Sequence, residues 1–226
     1  MNTYFFYKVN YMFGIITKNL LWTESPFIGL TCIAVALLGW LYFMPLFYFS
    51  LVAFLFFFYF FRNPDRICIQ AVHDASVIVC PADGRIVDIQ KLVDNKDYGA
   101  KISIFLSPLD VHVNWIPITG LVQKIEYVPG KFMMAFLPKS SELNEHNDVM
   151  ILHPSGKKFL VRQIAGTLAR RIVCWIEPHT KVFAGQKYGM IKFSSRIDLF
   201  LPHDTIIEVN LKQTVKGGQT VLGRLQ

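Results

Sequence analysis

The sequence predicts a mainly β chain, a barrel- or sandwich-like β domain preceded by an N-terminal helical membrane hairpin. Three observations carry that reading. Residues 27–61 form a run of 35 positions without Asp, Glu, Lys or Arg. After Arg62-Asn63-Pro64-Asp65-Arg66 the pattern changes to short Val- and Ile-rich runs separated by Gly, Pro, Asn and Asp, which is the signature of strands and turns. A glycine also precedes an amphipathic strand three times, at Gly84, Gly120 and Gly166, and such an echo suggests pseudo-repeats.

The apolar run comes first. A straight helix over its whole length would measure about 52 Å, well beyond a hydrocarbon core of about 30 Å. Met44-Pro45 splits it into 27–43 and 46–61, each near the short end of a spanning helix, so a tight hairpin is expected. Lys8, Lys18, Arg62 and Arg66 flank the run on both sides. The positive-inside rule then places both flanks in the cytoplasm, with the following domain on the inner face of the cell membrane. A cleaved signal peptide is a poor alternative, because the segment is too long, begins late and lacks a small-residue cleavage site before Arg62.

The 226 residues suffice for one domain with an appendage, and the expected division is 1–66 and 67–226. Strands are expected near 77–80, 85–91, 101–106, 112–116, 122–128, 149–153, 158–164, 167–176, 189–193, 197–201, 205–211 and 219–225. Residues 132–147, with Pro138, Ser140 and Ser141, are poorly patterned and read as a loop able to cover a site. Cys32 lies in the apolar run, and Cys68, Cys80 and Cys174 show neither paired nor metal-ligand spacing. They read as thiols of a reducing compartment, with no metal. The net charge of +7 points to anionic lipid headgroups, not nucleic acid, since the basic residues are scattered and form no stripe.

Chemistry enters at "MIKFSSRIDLFLP", residues 190–202, where Ser194 and Ser195 interrupt what otherwise reads as one strand running into another. A serine preceded by a peptide carbonyl can attack it through Oγ, turning the amide into an ester. Elimination of that ester leaves a dehydroalanine, which hydrolyses to a pyruvoyl group at a new N-terminus. Such a ketone condenses with amines and serves as an electron sink, which suits decarboxylation of amino acids.

The wider pattern is specific. "GMIKFSSRIDLFLP", with "FFRNPDR", "VCPADGRIVDI", "ISIFLSPLDVHVNWIPITGLVQKIEYVPGKF", "NEHN" and "VKGGQTVLGRL" in that order, resembles the short bacterial form of the phosphatidylserine decarboxylase proenzymes. The resemblance runs from about residue 60 to the C-terminus. It implies self-cleavage between Ser194 and Ser195 into a large fragment, 1–194, and a small one, 195–226, which stay associated. It also implies a covalent pyruvoyl group made from Ser195, and phosphatidylserine in the membrane as the substrate. The product would be phosphatidylethanolamine, formed with loss of CO2 through a Schiff base with the substrate amine. A homo-oligomer is compatible with this reading.

Asp83, in Pro81-Ala82-Asp83-Gly84, matches the family aspartate associated with processing and active-site polarity, although the tetrapeptide is equally a β-turn. His112 matches the family's active-site histidine, the expected acid that protonates the substrate carbon. Asp110, two residues before it, shares its strand face, so its carboxylate is expected to orient the imidazole. Arg196 could meet the substrate's carboxylate or phosphate, or be a solvated strand residue. Two departures stand out. Ser194 occupies a place where the family usually has glycine, yet its carbonyl is chemically equivalent and cleavage is expected to survive. Trp115 stands where longer members resemble a pattern with a second histidine, so His112 serves both processing and protonation, or Asp83 serves directly. The competing readings are a non-catalytic, membrane-tethered lipoyl-like β module, for which no lysine stands in a fitting hairpin, and a homologue whose cleavage is lost through Ser194.

Overall fold

The computed structural model describes residues 18–131, 133, 140–166, 171–193 and 195–226. The chain divides into two units, Met1–Asp65 and Arg66–Gln226. In the first, a short helix α1 (Leu21–Glu24) precedes α2 (Pro26–Tyr42) and α3 (Met44–Phe60). Phe43 alone separates the two long helices, in an extended conformation (φ −158°, ψ 91°). Pro45 then falls in the first turn of α3, where its missing N–H leaves no bond unmade. Helices α2 and α3 pack on each other: Ser50 Oγ donates to Cys32 O at 2.5 Å, and a Cβ at Gly39 would overlap the backbone of Phe47.

The apolar run is therefore a helical hairpin broken at the expected place, with arms close to the expected lengths. Each has 17 residues, about 25 Å at 1.5 Å per residue. No helix among the described residues is long and apolar enough to cross a membrane. The hairpin nevertheless exposes large apolar side chains, including Phe27, Leu41, Phe49 and Val52.

The second unit begins with α4 (Ile69–His73) and continues through β1 (Val77–Val79), β2 (Gly84–Lys91), β3 (Ala100–Leu106), β4 (Val113–Trp115) and β5 (Gly120–Val128). After α5 (Ser140–Leu143) come β6 (His146–Leu152), β7 (Lys158–Ala165), β8 (Arg171–Cys174), β9 (Lys181–Val182) and β10 (Lys187–Lys192). The chain closes with β11 (Ser195–Leu201), β12 (Thr205–Ile207), β13 (Thr214–Val215) and β14 (Val221–Leu225). These strands form an eight-stranded sheet in the order β13-β2-β3-β11-β7-β6-β5-β9 and two three-stranded sheets, β1-β14-β12 and β4-β10-β8. All their pairings are antiparallel. One apolar core is shared by the three sheets, with Ile78 from β1, Ile104 from β3, Tyr188 from β10 and Ile197 and Leu199 from β11.

Each expected strand overlaps an observed one, because period-2 burial and turn residues were both legible. Strands β9 and β13, two residues each, are too short to leave a pattern. Residues 167–170 of the expected strand 167–176, and residues 132 and 134–139 of the expected loop, lie outside the described residues. The remainder of that loop holds α5 and the start of β6.

Strand β11 lies near the middle of the large sheet and is bonded on both edges. Its register runs from Ser195↔Leu106 to Leu201↔Ala100 on β3, and from Ser195↔Ala165 to Phe200↔Leu160 on β7. Two of the strand-leading glycines are required by close approach. A Cβ at Gly120 would overlap the Leu152 carbonyl, and one at Gly84 would overlap the Phe105 carbonyl, with Gly84 also at φ +145°. Gly84→Ala is therefore expected to lower stability by at least about 2 kcal/mol, measured as a drop in the urea midpoint of the uncleaved chain.

Candidate active site

The strand pattern of residues 190–202 is interrupted because the chain changes sheets between Lys192 and Ser195. Strand β10 ends at Lys192 in a three-stranded sheet, and β11 begins at Ser195 inside the eight-stranded one. The crossing places Phe193 at φ +64°, the left-handed region that bulky residues rarely occupy. Ser194 lies outside the described residues. Ser195 is fully buried, and strand alternation sets its side chain on the same face as Ile197, Leu199 and Leu201, toward the core. Its Oγ has no hydrogen-bond partner among the described residues. A buried hydroxyl left in that state costs about 1–3 kcal/mol, which an inert core position has no reason to carry.

His112 is likewise fully buried. Its Nδ1 lies 3.0 Å from the Asp110 carbonyl, and its own carbonyl accepts from Ile191 N at 3.2 Å. In the neutral ring, Nδ1–H donates to that carbonyl and Nε2 carries the lone pair. The orienting group therefore differs from the expectation. The Asp110 carboxylate closes a turn by accepting from Ser107 N at 2.8 Å, so the backbone oxygen, not the side chain, holds Nδ1.

Asp83 heads β2, two strands from β11 in the large sheet, about 10 Å at ordinary strand spacing. Both its oxygens bond the Arg66 guanidinium, and Oδ1 also accepts from Gly217 N at 2.8 Å. Arg66 in turn donates to Gly217 O at 2.8 Å and lies 4.9 Å from the ring centroid of Trp115. Trp115, the residue at the place of a second histidine, is thus the surface on which the Arg66–Asp83 pair rests.

Arg196 and Ser195 leave β11 on opposite faces. Arg196 is neither solvated nor on the serine's face: the carboxylate it meets is Asp198 of its own strand. Nε donates to Oδ1 at 2.6 Å and Nη2 to Oδ2 at 3.2 Å, with Ser103 Oγ 2.8 Å from Nη2. Ser141 of α5 donates to Asp198 Oδ2 at 2.6 Å, and its carbonyl accepts from Arg162 at 3.0 Å. Arg162 makes a two-point pair with Asp148, 2.7 Å at each point. Both Arg196 and Asp198 are essentially inaccessible to solvent.

Sequence reasoning missed this cluster and a second one. Asn114, Gln163 and Asn147 form a buried amide chain beside the serine, through Asn147 Nδ2 to Gln163 Oε1 (2.9 Å) and Gln163 Nε2 to Asn114 Oδ1 (2.8 Å). The available signal was polarity at buried periodicity: Asn114 shares its strand face with His112, and Gln163 interrupts the apolar run of β7.

The family model described as phosphatidylserine decarboxylase matches residues 53–223. This chain belongs to the phosphatidylserine decarboxylase family. It is similar to the phosphatidylserine decarboxylase proenzyme of Desulfotalea psychrophila, 44% identical over 171 residues that cover 74% of this chain and 78% of the relative. It is equally similar to that of Cytophaga hutchinsonii, 44% over 176 residues, 76% and 79% of the two chains. The Syntrophus aciditrophicus proenzyme is 41% identical over 188 residues, 82% and 84% of the two chains. Enzymes of the family depend on a pyruvoyl group made from their own chain. Ser195 fits that origin, since its buried Oγ has no hydrogen-bond partner among the described residues and conversion to a ketone removes the stranded donor.

The charge cluster opposite the serine yields a prediction for this family member. Asp198→Ala strands the buried Arg196 charge and should destabilise the chain by about 3–5 kcal/mol, whereas Ser141→Ala, removing one hydrogen bond to a charge, should cost about 1.5–3 kcal/mol. Denaturant unfolding of both, in an uncleavable Ser195→Ala background, checks the order.

Proposed function

We propose that this chain is the precursor of a membrane-associated, pyruvoyl-dependent decarboxylase that converts phosphatidylserine to phosphatidylethanolamine and CO2. The observation that carries the reading is the buried Ser195 hydroxyl, without a hydrogen-bond partner among the described residues, at a sheet-to-sheet crossing in a chain of this family.

In the precursor, Ser195 Oγ attacks the carbonyl carbon of Ser194. The C–N bond breaks, the serine nitrogen takes a proton, and an ester joins the two residues. Loss of the Cα proton and cleavage of the Cβ–O bond release Ser194 as a carboxylate, leaving dehydroalanine, which tautomerises and is hydrolysed to the ketone with release of ammonia. His112, with Nδ1 held by the Asp110 carbonyl, is the proton carrier in this scheme. Asp83, held by Arg66 and Gly217, supplies fixed negative charge in the same sheet. The small fragment, 195–226, keeps β11 between β3 and β7 and β14 against β1, so the two fragments remain one folded body.

In the mature enzyme the pyruvoyl group supplies the electron sink for the pair released when CO2 leaves. His112 delivers a proton to the substrate carbon after that departure. Burial of the site keeps bulk water from competing for that carbon. The exposed apolar faces of α2 and α3 anchor the protein in lipid. Because each arm is short for a span and Lys18 and Arg62 flank the pair, the hairpin dips into the bilayer with both ends on the cytoplasmic side.

Ser195→Ala should yield a single full-length band on a denaturing gel and no CO2 release from phosphatidylserine, while the parent gives a large and a small fragment. Recovery of cleaved Ser195→Ala protein would defeat the reading. His112→Ala, assayed as processed protein, should lose turnover by about 10²–10⁴-fold, the range of a positioned general acid; turnover at the parent rate would move the acid elsewhere.

A further inference from the structure

The amide chain beside Ser195 ends in a donor with nothing to bond. Asn114 and Gln163 are fully buried, Gln163 occupies Asn114 Oδ1, and Asn114 Nδ2 has no hydrogen-bond partner among the described residues. A dry, unsatisfied donor is destabilising, and an apolar residue of similar size would avoid it. The fold also makes room for the arrangement. A Cβ at Gly189 would overlap the Val173 carbonyl and press on Gln163 Nε2 at 3.2 Å, so a glycine keeps the amide's place.

Register puts this donor at the reacting position. Asn114 pairs with Gly189, and two residues along β10 Ile191 N bonds the His112 carbonyl. Gln163 pairs with Ile197, and two residues along β7 Ala165 pairs with Ser195. Both steps lead to the same end of the two sheets, where β10 runs into β11. His112 and Ser195 therefore lie one two-residue step, about 7 Å, from the Asn114–Gln163 bond, on the faces that carry those amides.

We propose that Asn114 is a substrate-contacting residue whose Nδ2 donates a hydrogen bond to the carboxylate of the amino-acid headgroup reacting at position 195. Gln163 and Asn147 are its positioning residues. This rests on the decarboxylase reading and extends it to how the leaving carboxylate is held. A neutral donor suits that task. A cation would grip the carboxylate most strongly before reaction and lose that grip as neutral CO2 forms, which raises the barrier. The cation nearest in sequence, Arg196, is on the opposite face and bonded to Asp198.

The test compares two lipids that differ by that carboxylate. Full-length processed protein is mixed with phosphatidylcholine vesicles containing phosphatidylserine or phosphatidylethanolamine, lipid adducts are trapped with borohydride, and intact mass gives the half-saturating lipid fraction. Asn114→Ala should raise that fraction about 10- to 100-fold for phosphatidylserine, the loss expected for a hydrogen bond to a charged group, and leave phosphatidylethanolamine unchanged. Asn114→Asp, of the same shape, should weaken phosphatidylserine at least as much through like charge and again spare the product. Equal shifts for both lipids, or none, would overturn the proposal. So would failure of both variants to cleave, which would assign Asn114 to folding or processing. An untrappable or inactive parent would instead defeat the decarboxylase reading itself, and the two failures are thereby distinct.

Discussion

A strand bonded along both edges, whose first residue is the one proposed to react, governs the rest of this structure. Ser195 opens β11, and from that residue onward β11 is paired with β3 on one side and β7 on the other. Under the proposed cleavage, the new terminus would form in the interior of a sheet. Each backbone hydrogen bond adds only about 1 kcal/mol net, but the two ladders act together, and both neighbours belong to the fragment before the break. The new end therefore keeps the position that the precursor gave it. Preorganisation of this kind is what lets a group made by cleavage be used in place.

The same strand divides two kinds of polar burial between its faces. On the core face stand Ser195 and, across β7, the amide chain that ends at Asn114. On the other face Arg196, Asp198, Ser103 and Ser141 satisfy one another. Burying an ion pair gains little stability over an apolar pair, yet breaking one partner costs several kcal/mol, so such a pair fixes register more than it stabilises. Here it joins residues on both sides of the proposed cleavage point, Arg196 and Asp198 after it and Ser103 and Ser141 before it. A shift of β11 by one residue would move Arg196 into the apolar core and Ser195 out of it. The satisfied face penalises that slip and thereby holds the unsatisfied face in place.

Much of this was legible in the sequence, for physical reasons. Strands such as β3 and β11 announce themselves because one face of each is apolar, and the break at Phe43 follows from Pro45. Ser195 was legible through its motif, and the structure adds that it is buried and without an acceptor. The rest depended on contacts between residues distant in the chain. Asp110 was expected to use its carboxylate on His112 because i and i+2 share a face, but a local turn with Ser107 captured that carboxylate first. Arg196 was read as either a ligand for an outside anion or a solvated strand residue, because nothing in the sequence reveals that Ser103 meets it and Ser141 meets its partner Asp198. The arms of the hairpin, α2 and α3, lie within one or two residues of the two halves that the sequence marks off on either side of Met44-Pro45.

Trp115 shows how a departure from a family pattern can be absorbed. Its ring is fully buried, with Arg66 over one side and Gly217 and Gly218 so close that a Cβ on either would collide with it. The indole thus aims the Arg66 guanidinium at Asp83, and the Gly217 N–H completes the set. Three donors from two residues converge on the Asp83 carboxylate, whose oxygens act here as acceptors. A second histidine at this place could have relayed protons between the aspartate and the serine's strand; a tryptophan cannot, since its only polar atom is a donor. The proposed reaction assigns proton transfer at position 195 to His112, whose ring is held by a backbone oxygen that does not itself titrate.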